Sequence, residues 1–457
     1  MKKFNYLTAL SMLSLSIITT SSHALEQTLS FSQVINSAKK NDPWLEGSHY
    51  KQQSLEALSV AQNTQPDPRI SIAFANLPTD TFSLSQEGMS QFKVGFSQMF
   101  ARGDTLSIRN KQLQLASQQQ PLQRQDRENK VTVSAGSLWL DLFKVQESIE
   151  LIEQNRNLFE QLSQLAEASY VSGLGKTRQH DIVRAQLELT RLEDKLVQLK
   201  LEQNRYQAML SQWLSDYSQK KYPTALNDNN KVIDNIRVSA QLPWLSLTNK
   251  VLVYDNKELN ANKLALQFVN HPAVQAIDKK VATQAMAIEL AEQKYKVQWG
   301  VNASYGFRND DVMGNNRADL LSLGLVFDLP LFTDNKQDYE VKSAIAKTQV
   351  IKTEKLLLLR QLMSAFVSAK GQLLTVNERQ TLYTEKLLPQ IYDQAQASLT
   401  AYNNNDGDFS DVVRARIAQL NAQLDYLAMN VQEQKIILEI NYLIVGATVP
   451  SKRGVAL

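Results

Sequence analysis

The sequence predicts a mainly α-helical protein, built from two similar halves, in which each half adds two β-strands to a membrane barrel. Two motifs recur in the same order: Asn-Asp-Pro at residues 41–43 returns as Asn-His-Pro at 270–272, and Asp-Ile-Val-Arg-Ala at 181–185 returns as Asp-Val-Val-Arg-Ala at 411–415. Each half also carries two alternating segments and a long helical segment. Because a solenoid repeat spans only about 20 to 50 residues, this pattern indicates a duplicated half-protein.

The first residues predict export from the cytoplasm. Lys2 and Lys3 precede a mostly apolar stretch over residues 6–18, and Ser-His-Ala at 22–24 resembles a cleavage site, so we expect residues 1–24 to be a signal peptide. No later run reaches the roughly 18 apolar residues that suggest a transmembrane helix. The chain has no cysteine, which excludes disulfides, thiolate metal sites and an acylated N-terminal cysteine.

Composition and spacing argue against several functional classes. The 49 basic and 46 acidic residues are interspersed, which disfavours a nucleic-acid-binding surface. The four histidines are too far apart in sequence to share a metal on one helix. Gly-Lys-Thr at 175–177 lacks the strand and the first glycine of a phosphate-binding loop, and no nucleophile-elbow pattern occurs. We therefore expect neither an enzyme nor a resident metal or cofactor.

Four segments alternate with the two-residue period of a β-strand. They cover about residues 69–77 and 90–100 in the first half and about 297–307 and 319–329 in the second. One face of each is apolar and partly aromatic, and the other is small or polar. Strands of about nine to eleven residues with this pattern are typical of membrane barrels. The alternative is a pair of amphipathic hairpins on a soluble core, although the long helices that follow offer no wide apolar surface to cover them.

Four strands alone would leave two open sheet edges, which the hydrocarbon of a bilayer does not tolerate. Several chains must therefore close one barrel. Two copies would give eight strands and an interior just filled by side chains, whereas three copies would give twelve strands and room for a lumen. The small residues on the polar face favour the twelve-stranded barrel.

A long helical segment follows each strand pair. Residues 104–169 and 334–398 contain little glycine or proline, and each could extend roughly 100 Å if continuous. The helices that return from these segments repeat apolar residues at spacings of three and four, which indicates a coiled coil. The repeating residues are Ile182, Ala185, Leu189, Leu192, Leu196, Leu199, Tyr206, Leu210 and Trp213, followed in the second half by Val413, Ile417, Leu420, Leu424, Leu427, Val431 and Leu438.

The chain reverses direction at residues 170–175 and 402–407, which are rich in glycine and asparagine. The aspartate of the repeated motif, Asp181 or Asp411, follows each turn. A carboxylate in the first turn of a helix is stabilised by the helix dipole, so a purely structural role for both aspartates stays open at this point.

These features resemble the TolC family of outer-membrane efflux channels over essentially the whole chain after the signal peptide. The resemblance rests on the helix starts at 41–43 and 270–272, the two strand pairs, and the Tyr-x-x-Gly turn at 170–173 followed by Asp-Ile-Val at 181–183. The run at 184–194 is most similar to the branch that serves heavy-metal resistance pumps.

The resemblance implies a homotrimer with a twelve-stranded barrel in the outer membrane of a Gram-negative cell and a coiled-coil tunnel that extends into the periplasm. It divides the chain into a first efflux repeat at 25–218, an equatorial linker at 219–265, a second repeat at 266–446 and a C-terminal tail at 447–457. Pro223, Pro243 and the polar residues of the linker favour irregular or mixed structure there.

The resemblance also assigns candidate functional residues. The constricting aspartate of the family falls on Asp411, and we expect Asp181, Arg414 and Arg416 to contribute to the same gate. The tip that docks a periplasmic adaptor falls on four residues of the turns, which are Gly173, Gly175, Asn405 and Gly407.

The implied function is that of a passive outer-membrane conduit, whose partners are outer-membrane lipid, a periplasmic adaptor and an inner-membrane pump of the RND type. The similarity of residues 184–194 to the heavy-metal resistance branch implies heavy-metal cations as cargo. Two alternatives remain open: a conduit for type I secretion of polypeptides, which needs the same architecture, and a periplasmic coiled-coil adaptor. An adaptor needs a β-domain inside its helical hairpin, and here only short turns join the helices.

Overall fold

The computed structural model describes residues 28–172, 178–215, 236–254, 261–404 and 406–447. The predicted signal peptide, much of the equatorial linker and nearly all of the C-terminal tail lie outside these ranges. No helix in the described ranges is long and apolar enough to cross a membrane.

The described chain is mainly helical. Its first half contains, in order, β1 (Thr28–Leu29), α1 (Phe31–Lys40), α2 (Pro43–Ala61), β2 (Arg69–Ala75), β3 (Gln91–Met99), α3 (Thr105–Ser172) and α4 (Gln179–Leu214). The remainder contains β4 (Arg237–Val238), α5 (Lys250–Tyr254), α6 (Ala261–Gln267), α7 (Pro272–Glu292), β5 (Gln298–Phe307), β6 (Leu320–Asp328), α8 (Gln337–Leu382), α9 (Leu388–Asn403) and α10 (Phe409–Leu443).

The four longer strands form one antiparallel sheet in the order β2-β3-β5-β6. The register joins side chains of one kind into rows across the whole sheet. Ile72, Val94, Tyr305 and Leu321 form an apolar row, and Ser71, Gly95, Ser304 and Ser322 form the adjacent row on the opposite face. The apolar face is open to solvent: Ile72 is 69% exposed and Leu321 is 71% exposed. No helix of the described ranges covers this face, so the alternative of hairpins packed on a soluble core does not describe this sheet.

A single chain does not close a barrel. β2 and β6 are the two edges of the sheet, and within the described residues neither has a strand partner on its outer side. The helices next to the sheet keep the order of the strands: α2, α3, α7 and α8 pack side by side. An edge helix therefore accompanies each edge strand, with α2 beside β2 and α8 beside β6.

The longest helix, α3, has 68 residues and spans about 100 Å. It continues through Pro121 and packs between α4 and α10 towards the turns of the chain. The expected single helix over 334–398 is interrupted, because α8 ends at Leu382 and a π-helical turn at Tyr383–Leu387 joins it to α9. Pro389 lies just after this turn. Its missing N–H cannot continue the regular hydrogen-bond ladder.

Three apolar clusters hold the helices together. The cluster nearest the chain reversals, called the turn-end core, joins α3, α4 and α10 through buried residues: Ile152, Phe159, Leu162, Ala166, Ala185, Leu192, Leu196, Phe409, Val412, Val413 and Leu420. Two further clusters lie near the ends of α4 and α10. The turn-end core and the cluster near the end of α4 contain residues of the predicted three-four repeats, which therefore form a packed seam there.

The described part of the equatorial linker is mixed structure. β4 pairs in parallel with β1, and the extended segment after it is attached to α10 by side-chain amides. The Leu245 N–H donates to Gln434 Oε1 at 2.7 Å, and the Thr248 N–H donates to Asn441 Oδ1 at 2.8 Å. The described part of the linker thus packs against both halves of the chain.

Candidate functional site

The candidate site is the reversal of the chain between α9 and α10. Tyr402 and Phe409 face each other across this turn, with ring centroids 5.5 Å apart and an interplanar angle of 64°. Phe409, Val412 and Val413 are buried in the turn-end core. These contacts fix the first turn of α10 and with it the position of Asp411.

Gly407 allows the chain to pass close to the end of α9. A Cβ atom at this position would lie 2.9 Å from Cβ of Ala401 and 3.1 Å from the backbone nitrogen of Tyr402. The Asp406 N–H donates to the Ala401 carbonyl at 2.8 Å and closes the turn. Gly407 therefore has a packing role in addition to its expected position at a docking tip. Of the other expected tip residues, Gly173, Gly175 and Asn405 lie outside the described residues.

Asp411 lies on the exposed side of α10. Its side chain is 56% exposed, and its Oδ1 accepts a hydrogen bond from Nη1 of Arg414 at 2.9 Å. The Arg414 side chain is 67% exposed. This is an ion pair one helical turn apart, and such exposed pairs contribute about 1 kcal/mol or less. The two side chains form a weakly held charged surface at the start of α10.

Asp181, the equivalent residue of the first half, has a different environment. It is buried, and its Oδ2 accepts a hydrogen bond from the Arg178 N–H at 2.9 Å. Nε2 of His180 lies 3.4 Å from its other carboxylate oxygen. A carboxylate that accepts from a free N–H at a helix N-terminus stabilises that terminus. Asp181 therefore stabilises the N-terminus of α4, which is the structural role that the sequence left open for both aspartates.

Arg416 does not contact Asp411. Its side chain is buried, its Nη1 donates to Gln419 Oε1 at 2.9 Å, and its Nε has no hydrogen-bond partner among the described residues. Five residues along a helix rotate a side chain by about 140°, away from the face that Asp411 occupies. We expected both Arg414 and Arg416 to lie next to the Asp411 carboxylate. Within one chain only Arg414 does so.

The sequence interpretation did not single out Phe409. The available signal was a lone aromatic residue within the polar segment 403–411.

In the described ranges, no three His, Asp or Glu side chains lie close enough to hold a metal ion.

No protein-family model and no curated protein matches the sequence. Solved structures do match over nearly the whole chain. The structure of CusC matches with a TM-score of 0.69 and 12% identity, over 91% of this chain and 91% of that one. The CmeC outer-membrane channel of Campylobacter jejuni matches with a TM-score of 0.70 and 12% identity, over 92% of this chain and 87% of that one. This chain has the fold of the TolC-family outer-membrane channels.

A third match extends the same result. The open state of the MtrE outer-membrane channel of Neisseria gonorrhoeae aligns with a TM-score of 0.67 and 10% identity, over 91% of this chain and 89% of that one. All three matches thus extend over about nine-tenths of this chain. The TolC-type fold that the family resemblance implies is therefore confirmed.

Proposed function

We propose that this protein is the outer-membrane channel of a tripartite efflux system and acts as a homotrimer. The observation that carries the proposal is the four-stranded sheet, which exposes an apolar face and has two unpaired edges. An exposed apolar surface of this kind is stable only against lipid or another protein. Unpaired strand edges must be closed before a sheet can enter hydrocarbon.

The rows across the sheet support a barrel with its apolar face towards lipid. Ser71, Gly95, Ser304 and Ser322 would line the inside, where small residues leave space, and the apolar row on the other face would contact acyl chains. Three copies supply twelve strands and a lumen, whereas two supply eight strands and a filled interior.

The helices support a tunnel continuous with this barrel. Because the order of α2, α3, α7 and α8 matches the order of the strands, the copy that pairs its β2 with β6 also brings its α2 next to α8. One rotation thus closes the barrel and the helical wall together. The length of α3 carries the wall about 100 Å from the sheet, far enough to extend well into the periplasm.

The remaining partners are those that the family resemblance implies. A passive conduit needs a periplasmic adaptor at its turns and an inner-membrane pump, for which we propose the RND type. We propose that Asp411 and Arg414 line the closed mouth, with Asp181 and Arg416 supporting the same end of the helices. Gly173, Gly175, Asn405 and Gly407 would form the adaptor-docking tip. Heavy-metal cations are the first cargo to test, because the run at 184–194 resembles that branch of the family.

The absence of native cysteine makes a direct test possible. The variant Ser71→Cys is combined in turn with Cys at Leu320, Ser322 or Gly324, which lie on the same face of the opposite edge strand. Oxidation in outer-membrane fractions should give a covalent trimer for one combination and no ladder beyond a dimer for any single variant. Failure of every combination, with recovery of a soluble monomer from the periplasm, would overturn the proposal.

A further inference from the structure

The equivalent helices α2 and α7 of the two halves begin with different N-cap residues. Asp42 precedes Pro43 at the start of α2, and its Oδ1 accepts the Trp44 N–H at 3.1 Å. His271 precedes Pro272 at the start of α7, and its Nδ1 accepts the Ala273 N–H at 3.2 Å. The equivalent N-cap hydrogen bond is thus accepted by a carboxylate in the first half and by an imidazole in the second.

The two caps are joined by adjacent residues of α3. Arg127 pairs with Asp42, with its Nε 2.7 Å from Oδ2. Asp126, the preceding residue, accepts the hydroxyl hydrogen bond of Tyr442 at 3.1 Å, and the Tyr442 ring lies edge-on to His271 at 5.2 Å. One turn of α3 therefore contacts the cap of the first half directly and the cap of the second half through Tyr442.

The start of each of these two helices is also tied to the end of the helix that closes its own half. In the first half, Asn41 Nδ2 donates to the Leu214 carbonyl at 2.9 Å at the end of α4. In the second half, His271 Nε2 lies 3.2 Å from the Tyr442 carbonyl near the end of α10. The turn after α10 packs closely on the same place, since a Cβ on Gly446 would lie 2.5 Å from the Asn270 carbonyl oxygen.

These contacts require a neutral His271. Nδ1 accepts a hydrogen bond, so it carries no proton, and Nε2 then carries the proton that it donates to the Tyr442 carbonyl. A second proton on Nδ1 would point at the Ala273 N–H, and the cap bond would be lost. The ring is 0% exposed, so water cannot replace the lost partner without an opening of the structure.

The groups around His271 shift its protonation equilibrium in opposite directions. Burial is the main cause that lowers the pKa of His271 below its usual value, and Lys130 on α3 adds to this effect. Asp126 on α3 and the Tyr442 carbonyl on α10 favour the charged ring and oppose it. Asp126 is itself paired with Lys130, with Nζ 2.7 Å from Oδ2, which limits the negative charge available to an imidazolium.

We propose that His271 is an acid-sensitive joint, at which protonation releases the start of α7 from the end of α10 while the Asp42 cap keeps the first half fastened. This joint is a property of the single chain and does not rest on the channel function. Its stabilising contribution is complete above the unfolded histidine pKa of about 6.5 and is lost as the pH falls below it, because the unfolded state then binds more protons.

Hydrogen exchange on the full-length wild-type protein in detergent tests the joint without any substitution. Protection of the amides at 273–277, corrected for the intrinsic pH dependence of exchange, should fall selectively between about pH 7.5 and about pH 5, by up to about tenfold per pH unit below 6.5. The amides at 44–48, after the Asp42 cap, are the internal control and should keep their protection. Equal loss at both caps, or no loss at either, overturns the proposal.

Three variants assign the effect to one residue. His271→Asn keeps a good helix cap without a titratable ring, and it should abolish the selective loss at 273–277. His49→Asn, on the exposed surface of α2, and His180→Asn remove the other histidines after the predicted signal peptide, and both should retain the wild-type response. A selective loss that persists in His271→Asn shows that another group is responsible and also overturns the proposal.

Discussion

Arg414 Nη1 lies 2.9 Å from Asp411 Oδ1, and the two side chains share the exposed face of the first turns of α10. In a three-fold assembly this pair would occur three times around the mouth of the tunnel. Carboxylates within a Debye length of about 8 Å repel one another unless cations intervene. In each chain Arg414 supplies a positive charge next to Asp411, through an ion pair that is exposed and therefore weak.

We expect Asp411→Ala to open the mouth and to weaken its affinity for cations. Removal of the carboxylates should raise single-channel conductance in planar bilayers and weaken the block by multivalent cations about fivefold, the equivalent of about 1 kcal/mol. The trimer should remain intact, because the Asp411 side chain is exposed and caps no buried group.

The matched control is Arg414→Ala, which frees the carboxylate and should strengthen the cation block. Asp181→Ala should instead lower thermal stability, because Asp181 accepts the Arg178 N–H in a buried position. Identical conductance and identical block in wild type and Asp411→Ala would place the gate elsewhere and leave Asp411 as a helix-start residue.

Charge on the apolar face of the sheet should prevent assembly. Leu323 is 77% exposed in β6, and an arginine there should cost about 2 to 4 kcal/mol near the bilayer midplane. Ser322 is its neighbour on the opposite face, so Ser322→Arg is the matched control and should be much milder. The measurement is the yield of folded trimer in outer-membrane fractions. Equal yields for the two variants would show that the apolar face does not contact lipid.

The cap of the first half provides a stability prediction. Asp42 is 3% exposed at its side chain and depends on Arg127, so Arg127→Ala leaves a buried carboxylate without its partner. The cost should be about 2 kcal/mol, below the 3–5 kcal/mol of a fully buried pair, because the Arg127 side chain is 35% exposed. Thermal unfolding measures it. The double variant Asp42→Asn with Arg127→Ala should recover part of the loss, since asparagine also caps helices; no recovery would contradict the role of the buried charge.

The sequence was sufficient for the parts of the fold that depend on periodicity. All four strands of the large sheet lie within the predicted segments, because successive side chains of a strand point to opposite faces, and a sheet with one apolar and one small or polar face therefore has a two-residue period. The seam residues of α4 and α10 were visible in the same way. The π-helical turn at Tyr383–Leu387 was not, because Pro389 alone does not determine how the preceding helix accommodates it.

The candidate site was predictable only in part. Asp411 and Asp181 follow equivalent turns and look alike in sequence, but one is exposed and the other is a buried cap. Arg416 was placed beside Asp411 by its proximity in sequence, whereas the helix turns its side chain inwards. Likewise, nothing in the sequence joins Asp126 to His271, because they meet only through Tyr442 on a third helix.

The last prediction concerns the docking of a periplasmic adaptor. Gly173→Trp should leave the trimer intact and abolish resistance to the exported compounds, because a bulky side chain at the turn blocks a partner rather than the fold. The control is Gly88→Trp, in the loop between β2 and β3. A Cβ at Gly88 would meet nothing within 4 Å, so this variant should retain both trimer and resistance.

Gly407→Ala separates a folding defect from a docking defect. Its Cβ would lie 2.9 Å from Cβ of Ala401, so this variant should lower the melting temperature of the trimer by a few degrees even though alanine is small. Comparison of trimer melting with drug or metal resistance in the same cells then distinguishes the two effects. If Gly173→Trp loses trimer stability in parallel with Gly407→Ala, the turn residues act as helix caps only. If the trimer stays stable while resistance is lost, the turn is a docking surface.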